Sequence, residues 1–86
     1  MNDTWYVYML ECSDNSIYTG ITNDLDRRLK QHNDGKAAKY TRVRRPVKIL
    51  VSFNFDTRGL AMKEEYRIKQ LRRKDKLILI NKTKQK

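Results

Sequence analysis

Tyr6-Val7-Tyr8, Tyr18-Thr19-Gly20 and Leu25-Asp26-Arg27-Arg28-Leu29-Lys30-Gln31-His32 decide the fold, because they read in turn as two short aromatic strands and a helix that covers them. In Trp5-Tyr6-Val7-Tyr8-Met9-Leu10 both parities are apolar, which predicts a central strand over residues 5–11 buried on both faces. Tyr6, Tyr8 and Leu10 share one side, and Trp5, Val7 and Met9 the other. Ser13-Asp14-Asn15-Ser16 is turn chemistry, so Ile17 to Ile21 returns as the second strand of a hairpin. Gly20 near its end marks a place where a side chain is excluded or a positive φ is required.

Working outward, Thr22 or Asn23 is expected to cap a helix whose first turn holds Asp24 and Asp26 and which stops at Asp34-Gly35. Leu25 and Leu29 at i,i+4 point to the core, and Arg28 and His32, also at i,i+4, stand together one step round. Residues 36–46 read as a basic loop closed by Pro46. Residues 47–53 read as a third strand. Asp56 or Thr57 caps a helix over 58–72 with a buried stripe of Leu60, Ala61, Ile68 and Leu71, and a short helix over 74–80 follows. The expected organisation is one α+β domain over residues 1–80 and a basic, frayed tail over 81–86.

Bulk composition narrows the function classes. Eighty-six residues make one domain near the lower size limit for a single core, and 35% of them are charged. No run approaches the ~18–20 apolar residues of a membrane span, and the start of the chain is no signal peptide. One cysteine, Cys12, excludes an internal disulfide framework and any multi-cysteine metal site, so a cytoplasmic address is expected. The net charge of +10 favours polyanions, nucleic acid first, anionic membrane second and acidic protein third. Charge kept for solubility would mix its signs, whereas residues 36–48 hold Lys36, Lys39, Arg42, Arg44, Arg45 and Lys48 with no acid, and Tyr40 among them.

The candidate chemistry begins with tyrosine. Strand aromatics usually pack, yet this chain has five tyrosines against two phenylalanines, and a buried phenol must find a partner. Tyr8 and Tyr18, paired across the hairpin, could line one side of a polar cleft. Arg28 alone reads as a snorkelling helix residue, and His32, the only histidine, is a weak signal by itself. Together they put a fixed cation and a titratable group on one face, which is equipment for holding a phosphate and moving a proton beside it. Counting about 100° per residue, Glu64 falls within the buried stripe of its helix and Glu65 at the rim, where a carboxylate can meet a cleft and a hydrated metal. The competing expectation is that one or both pair with Arg67, Lys69 or Arg72. Cys12 is expected only to pack.

These features, taken as an ordered set, resemble the GIY-YIG nuclease superfamily, and its small single-domain bacterial branch most. Tyr6-Val7-Tyr8 stands for Gly-Ile-Tyr and Tyr18-Thr19-Gly20 for Tyr-Ile-Gly, with nine residues between the triplets. The helix matches Leu-x-x-Arg-x-x-x-His at Arg28 and His32, and Ala61-Met62-Lys63-Glu64-Glu65-Tyr66 matches the later Ala-x-x-x-Glu segment at Glu65. Lys39 to Val47 resembles the branch's Lys-Tyr-Thr-Arg-x-Arg-Arg-Pro-Val segment. The resemblance implies a three-stranded antiparallel sheet flanked by helices in the order β-β-α-β-α-α. It implies one divalent cation, Mg²⁺ or Mn²⁺, on Glu65, with Tyr8 and Tyr18 to orient or deprotonate water. Arg28 would neutralise phosphoryl charge, and His32 would assist proton transfer or hold Tyr8. The chain departs from the family pattern at Tyr6, which replaces a glycine. It also lacks a second histidine after the helix, where Lys39 or Tyr40 stands, and the only counterpart of a late family asparagine is Asn81 in the expected tail.

The function these readings imply is a metal-dependent endonuclease acting on DNA ahead of RNA, structure-selective rather than sequence-specific, working as a monomer or weak dimer. The alternatives are a non-catalytic nucleic-acid-binding module on the same fold, and an accessory protein docking on an acidic partner.

Overall fold

The computed structural model describes residues 4–84 and begins with the expected hairpin. Strand β1 spans Trp5–Glu11 and β2 spans Ile17–Thr22; β3, Lys48–Phe55, completes an antiparallel sheet in the order β2-β1-β3. The central place of β1 follows from its two apolar faces: Val7, Tyr8, Met9 and Leu10 are all buried. Strand β3 runs two residues beyond its expected end because Asn54 and Phe55 pair with Tyr6 and Trp5, and an irregularity between Met9 and Leu10 leaves Leu50 without a partner across the ladder.

Helix α1, Leu25–Asn33, is capped by Asp24 rather than Thr22 or Asn23. The Asp24 carboxylate accepts from Arg27 N at 3.1 Å, while Thr22 Oγ1 accepts from Asp24 N at 3.1 Å and so holds the cap residue. Gly35, at φ 77°, ends the helix in the left-handed region that glycine tolerates. The expected basic loop contains a single turn of helix, α2, Lys39–Arg42. Helix α3 spans Arg58–Lys69 behind its Thr57 cap, and α4 spans Arg73–Lys84. Helix α3 is three residues shorter than expected, and of its expected stripe Ala61 and Ile68 are buried, Leu71 is half-buried and Leu60 is exposed. Helix α4 passes the boundary expected at Ile80: Thr83 is half-buried and donates its hydroxyl to the Leu79 carbonyl at 2.8 Å. Residues 85–86 of the expected tail lie outside the described residues.

The core divides by face. Val7 and Met9 pack with Val51, Ala61, Ile68 and Ile80 under α3 and α4. Tyr8 and Leu10 pack with Cys12 and Val47, and with Leu25 and Leu29 of α1. The second face carries the polar residues singled out from the sequence. Gly20 lies opposite Tyr8 in the ladder, and its role is space: a Cβ there would come within 2.6 Å of the Tyr8 hydroxyl and 2.7 Å of the ring. Gly20→Ala is therefore expected to destabilise the domain by about 1–3 kcal/mol, because a buried ring must move. Urea unfolding measures this; a loss under about 0.5 kcal/mol would show that the ring has room the structure does not give it.

Candidate active site

The Tyr8 side chain rises from the middle of β1 into the cluster under α1, where its hydroxyl meets the two helix residues expected beside it. Tyr8 Oη lies 2.8 Å from His32 Nε2, and Arg28 Nε donates to the same oxygen at 3.4 Å. One turn of helix separates Arg28 from His32, and that spacing lets both reach a single phenol. Arg28 also donates to Gln31 Oε1 at 3.1 Å, which steadies the guanidinium. His32 is fully buried; its other nitrogen, Nδ1, lies 2.7 Å from Oγ1 of Thr41, also fully buried, on α2.

Aromatic contacts close the group. Tyr18 meets the His32 ring edge to face at 5.2 Å and stacks on Tyr40 at 5.9 Å. The Arg44 guanidinium covers the outer face of Tyr40 at 4.0 Å and pairs with Asp14 at 3.0 Å, tying the basic segment to the β1–β2 turn. Asn33 braces the same segment: its amide accepts from Val47 N at 2.8 Å and donates to Val47 O at 3.0 Å.

The two acids of α3 have different surroundings. Glu64 accepts from two guanidinium nitrogens of Arg67, Nε at 2.6 Å and Nη2 at 2.8 Å, and Arg67 holds its carboxyl below the usual range. Glu65 has one looser partner, Lys69 Nζ at 3.4 Å, and that ammonium stands 6.0 Å from the Tyr18 ring. Glu65 is also close enough to Tyr8 for its charge to act on the phenol. Asn81 lies exposed on α4 and makes no side-chain hydrogen bond among the described residues. Cys12 is buried at the end of β1, and burial raises its thiol pKa.

The basic residues of 36–48 also separate. Arg44 is held by Asp14 and Tyr40, Lys48 pairs with Glu11 at 3.2 Å, and Arg45 donates to the carbonyls of Arg42 and Asn33. Lys36, Lys39 and Arg42 are exposed without an ion pair among the described residues and line one shallow cleft. Sequence reasoning did not single out Thr41 or Gln31, whereas Lys69 was among the expected partners of the α3 acids. Only the Lys69 contact had a local signal, its i,i+4 spacing from Glu65.

Electrostatics sets the resting state. Burial raises the Tyr8 pKa above its usual 10.0; Arg28 opposes the rise but does not cancel it, and Tyr18 and Glu65 add to it. Burial, with the Arg28 charge, lowers His32 from 6.5 to about 4. Both partners of the 2.8 Å bond are therefore neutral at pH 7.

This geometry, three antiparallel strands carrying a Tyr–Arg–His cluster with a helix glutamate beside it, defines a small GIY-YIG-type domain. A family profile described as the GIY-YIG catalytic domain matches residues 4–82, and the chain belongs to that family. It is 54% identical to a UPF0213 protein of Oceanobacillus iheyensis, over 93% of each chain. It is 52% identical to the UPF0213 protein YazA of Bacillus subtilis, over 87% of this chain and 76% of YazA. The solution structure of a UPF0213 protein from Bacillus halodurans superposes with a TM-score of 0.60 at 47% identity, covering 91% of this chain and 83% of that one. That of a protein from E. faecalis gives 0.66 at 38% identity, covering 100% and 94%.

A buried neutral histidine links stability to pH. Between about 4 and 6.5 the unfolded chain binds a proton that the folded chain refuses, so this contribution is whole above pH 6.5 and is lost as pH falls toward 4. Stability is expected to drop by up to about 1.4 kcal/mol per pH unit in that window. Urea unfolding at pH 7 and 5 checks the loss, and NMR of the only histidine checks its origin. A ring titrating between pH 6 and 7 would contradict the buried, doubly hydrogen-bonded placement.

Proposed function

We propose that this domain is a divalent-metal-dependent endonuclease that hydrolyses phosphodiester bonds in DNA, selecting structure rather than sequence. The observation that carries the reading is the Tyr8 hydroxyl held between Arg28 Nε and His32 Nε2 with Glu65 at hand. It sets a proton acceptor and a fixed cation on one phenol, near a carboxylate of the kind a divalent ion would use. Membership of the family whose profile is described as catalytic supports it.

The donor set fits Mg²⁺ or Mn²⁺. No group of three His, Cys, Asp or Glu side chains gathers among the described residues, so a metal cage built wholly from protein is not available. One carboxylate, Glu65, with water and phosphate oxygens is a coordination that small hard cations accept. When bound, the cation would polarise the phosphoryl group and lower the pKa of a coordinated water. The chain's own residues then divide the remaining tasks. Tyr8 Oη receives the proton of the attacking water as its own proton passes to His32 Nε2; the water oxygen bonds to phosphorus as the bond to the leaving sugar oxygen breaks, and that oxygen takes a proton from solvent. Arg28, already aimed at that oxygen, offsets negative charge on the phosphoryl oxygens. Tyr18 walls the imidazole and keeps water from its face.

Lys36, Lys39 and Arg42 would contact backbone phosphates on either side of the scissile bond. Such contacts give affinity without reading bases, and the chain has no separate recognition module in its described residues. No helix among those residues is long and apolar enough to cross a membrane. The free, buried Cys12 suits a reducing compartment, and we take the cytoplasm as the working place and a monomer or weak dimer as the working unit. One observation favours a second reading, a binding module without activity: burial makes Tyr8 a weaker acid than free phenol, so it stays protonated at rest.

Cleavage of labelled duplex, nicked, branched and single-stranded DNA, with RNA counterparts, separates the two readings. With Mg²⁺ or Mn²⁺ the parent is expected to cut at least one DNA structure, and EDTA to stop it. Arg28→Ala is expected to lower kcat by roughly 10²- to 10³-fold, and Glu65→Ala to abolish cutting while DNA binding persists. Glu64→Ala is the control, expected to leave cutting in place because its carboxylate is taken by Arg67. Tight binding with no cutting on any substrate would select the binding module.

Salt dependence tests the phosphate surface. Arg42→Ala is expected to reduce the slope of log K against log salt by about one, the value for one lost duplex phosphate contact. Arg45→Ala is expected to leave the slope and lower stability, because its guanidinium is committed to two backbone carbonyls. Equal slopes for the parent and Arg42→Ala would remove this cleft from the DNA interface.

A further inference from the structure

Helix α2 is a single turn that points in two directions. Lys39 and Arg42 face outward with no ion pair among the described residues. Tyr40 lies on Tyr18, and Thr41 is fully buried against His32 Nδ1. Nothing in the intrinsic preferences of Lys-Tyr-Thr-Arg demands that a threonine be enclosed there. The imidazole is what it serves.

The hydrogen bonds of this cluster have a direction. Thr41 Oγ1 lies 3.2 Å from the Ala38 carbonyl oxygen, which can only accept. A hydroxyl has one proton. If Thr41 donates to Ala38, it meets His32 Nδ1 as an acceptor, so Nδ1 carries the imidazole proton. Nε2 is then the bare nitrogen, and it accepts from Tyr8 at 2.8 Å. Tyr8 Oη keeps a lone pair for Arg28 Nε at 3.4 Å. Every donor in the chain Arg28, Tyr8, His32, Thr41 has an acceptor. The reverse order leaves Tyr8 accepting from both His32 and Arg28, with its own proton aimed at no acceptor in the cluster.

We infer that Thr41 is a positioning residue that fixes His32 as the Nδ1–H tautomer, so that Nε2 is the site able to take the proton of Tyr8. The inference rests on the proposed hydrolytic role for its kinetic consequence, but the tautomer itself is a property of the free protein. In the proposed reaction the O–H bond of Tyr8 breaks as an N–H bond forms at His32 Nε2, and the water proton replaces the one that left. Were Nε2 already protonated, Tyr8 would have no internal acceptor. Thr41 thus acts through His32 and touches neither phosphate nor metal.

The experiment is long-range ¹H–¹⁵N correlation of the His32 ring at pH 7 in the full chain without DNA or metal, for the parent, Thr41→Val and Thr41→Ser. The parent and Thr41→Ser are expected to show the proton on Nδ1. Thr41→Val is expected to shift toward the Nε2–H form, because Nδ1 has lost its acceptor. Cleavage by the same proteins is expected to show kcat reduced roughly a hundredfold in Thr41→Val, KM and the salt slope of DNA binding unchanged, and most of kcat recovered in Thr41→Ser. A parent ring protonated on Nε2 overturns the inference, as does a Thr41→Val ring that keeps the proton on Nδ1 with kcat within twofold of the parent. If Thr41→Val does not fold, the parent spectrum still decides, and Thr41→Ala supplies the smaller change. Should the parent cut no substrate, the hydrolytic reading falls while the spectra still judge the tautomer.

Discussion

The hydrogen bond between Tyr8 and His32 is the constraint on which the rest of this small structure turns. It ties the central strand to α1 across 24 positions of sequence and lies within the core. A buried phenol or imidazole without a partner costs about 1–3 kcal/mol each. The pair is tolerable because it is answered at both ends, by Arg28 at the phenol and Thr41 at the imidazole. Meeting those demands fixes the rotation of α1 about its axis, draws α2 against it, and leaves no space for a side chain at Gly20. Among the described residues the opposite face of the sheet shows no such network. There Thr19 buries a hydroxyl with no hydrogen bond among the described residues, at the position where the family triplet has isoleucine.

The excess of positive charge is organised by the same scaffold. Twenty Lys and Arg against ten Asp and Glu repel one another in a domain of this size, so some cations must be absorbed. Arg44 is absorbed by Asp14 and by the face of Tyr40, and Arg45 by the carbonyls of Asn33, at the end of α1, and Arg42, in α2. Those two hold the segment in its path over the site. Lys36, Lys39 and Arg42 are left projecting from it. The segment is thus fastened by some of its cations so that others are presented, which a count of charges cannot distinguish.

Much of this was legible in the residues because it depends on short spacings. The two faces of β1, the hairpin turn, and the i,i+4 relation of Arg28 and His32 are local facts, and the structure keeps each. What escaped depends on contacts between distant segments. Helix α2 has no hydrophobic period; its contacts run to distant residues, Thr41 to His32, nine positions earlier, and Tyr40 to Tyr18. Leu60 fits the α3 stripe by angle, yet it is exposed. The direction of the Tyr8 pKa was also out of reach. The nearby guanidinium suggests a lowered value, but burial dominates, and burial is known only once α1 has been laid across the strand.

The choice between the neighbouring carboxylates shows how register becomes chemistry. Both Glu64 and Glu65 are half-buried, and both have a cation in reach on the same helix. Glu64 meets a guanidinium, planar and two-pronged, and the match at 2.6 and 2.8 Å occupies both oxygens. Glu65 meets an ammonium on a flexible stem at 3.4 Å, a single point charge that can swing away. An arriving divalent ion would have to break a bidentate pair to use Glu64 and only displace Lys69 to use Glu65. Glu65 also sits on the side of α3 from which its charge reaches Tyr8, and its partner Lys69 stands 6.0 Å from the Tyr18 ring. One residue of helical rotation, about 100°, therefore separates a carboxylate locked in a bidentate ion pair from one held by a single ammonium on the side facing the phenol.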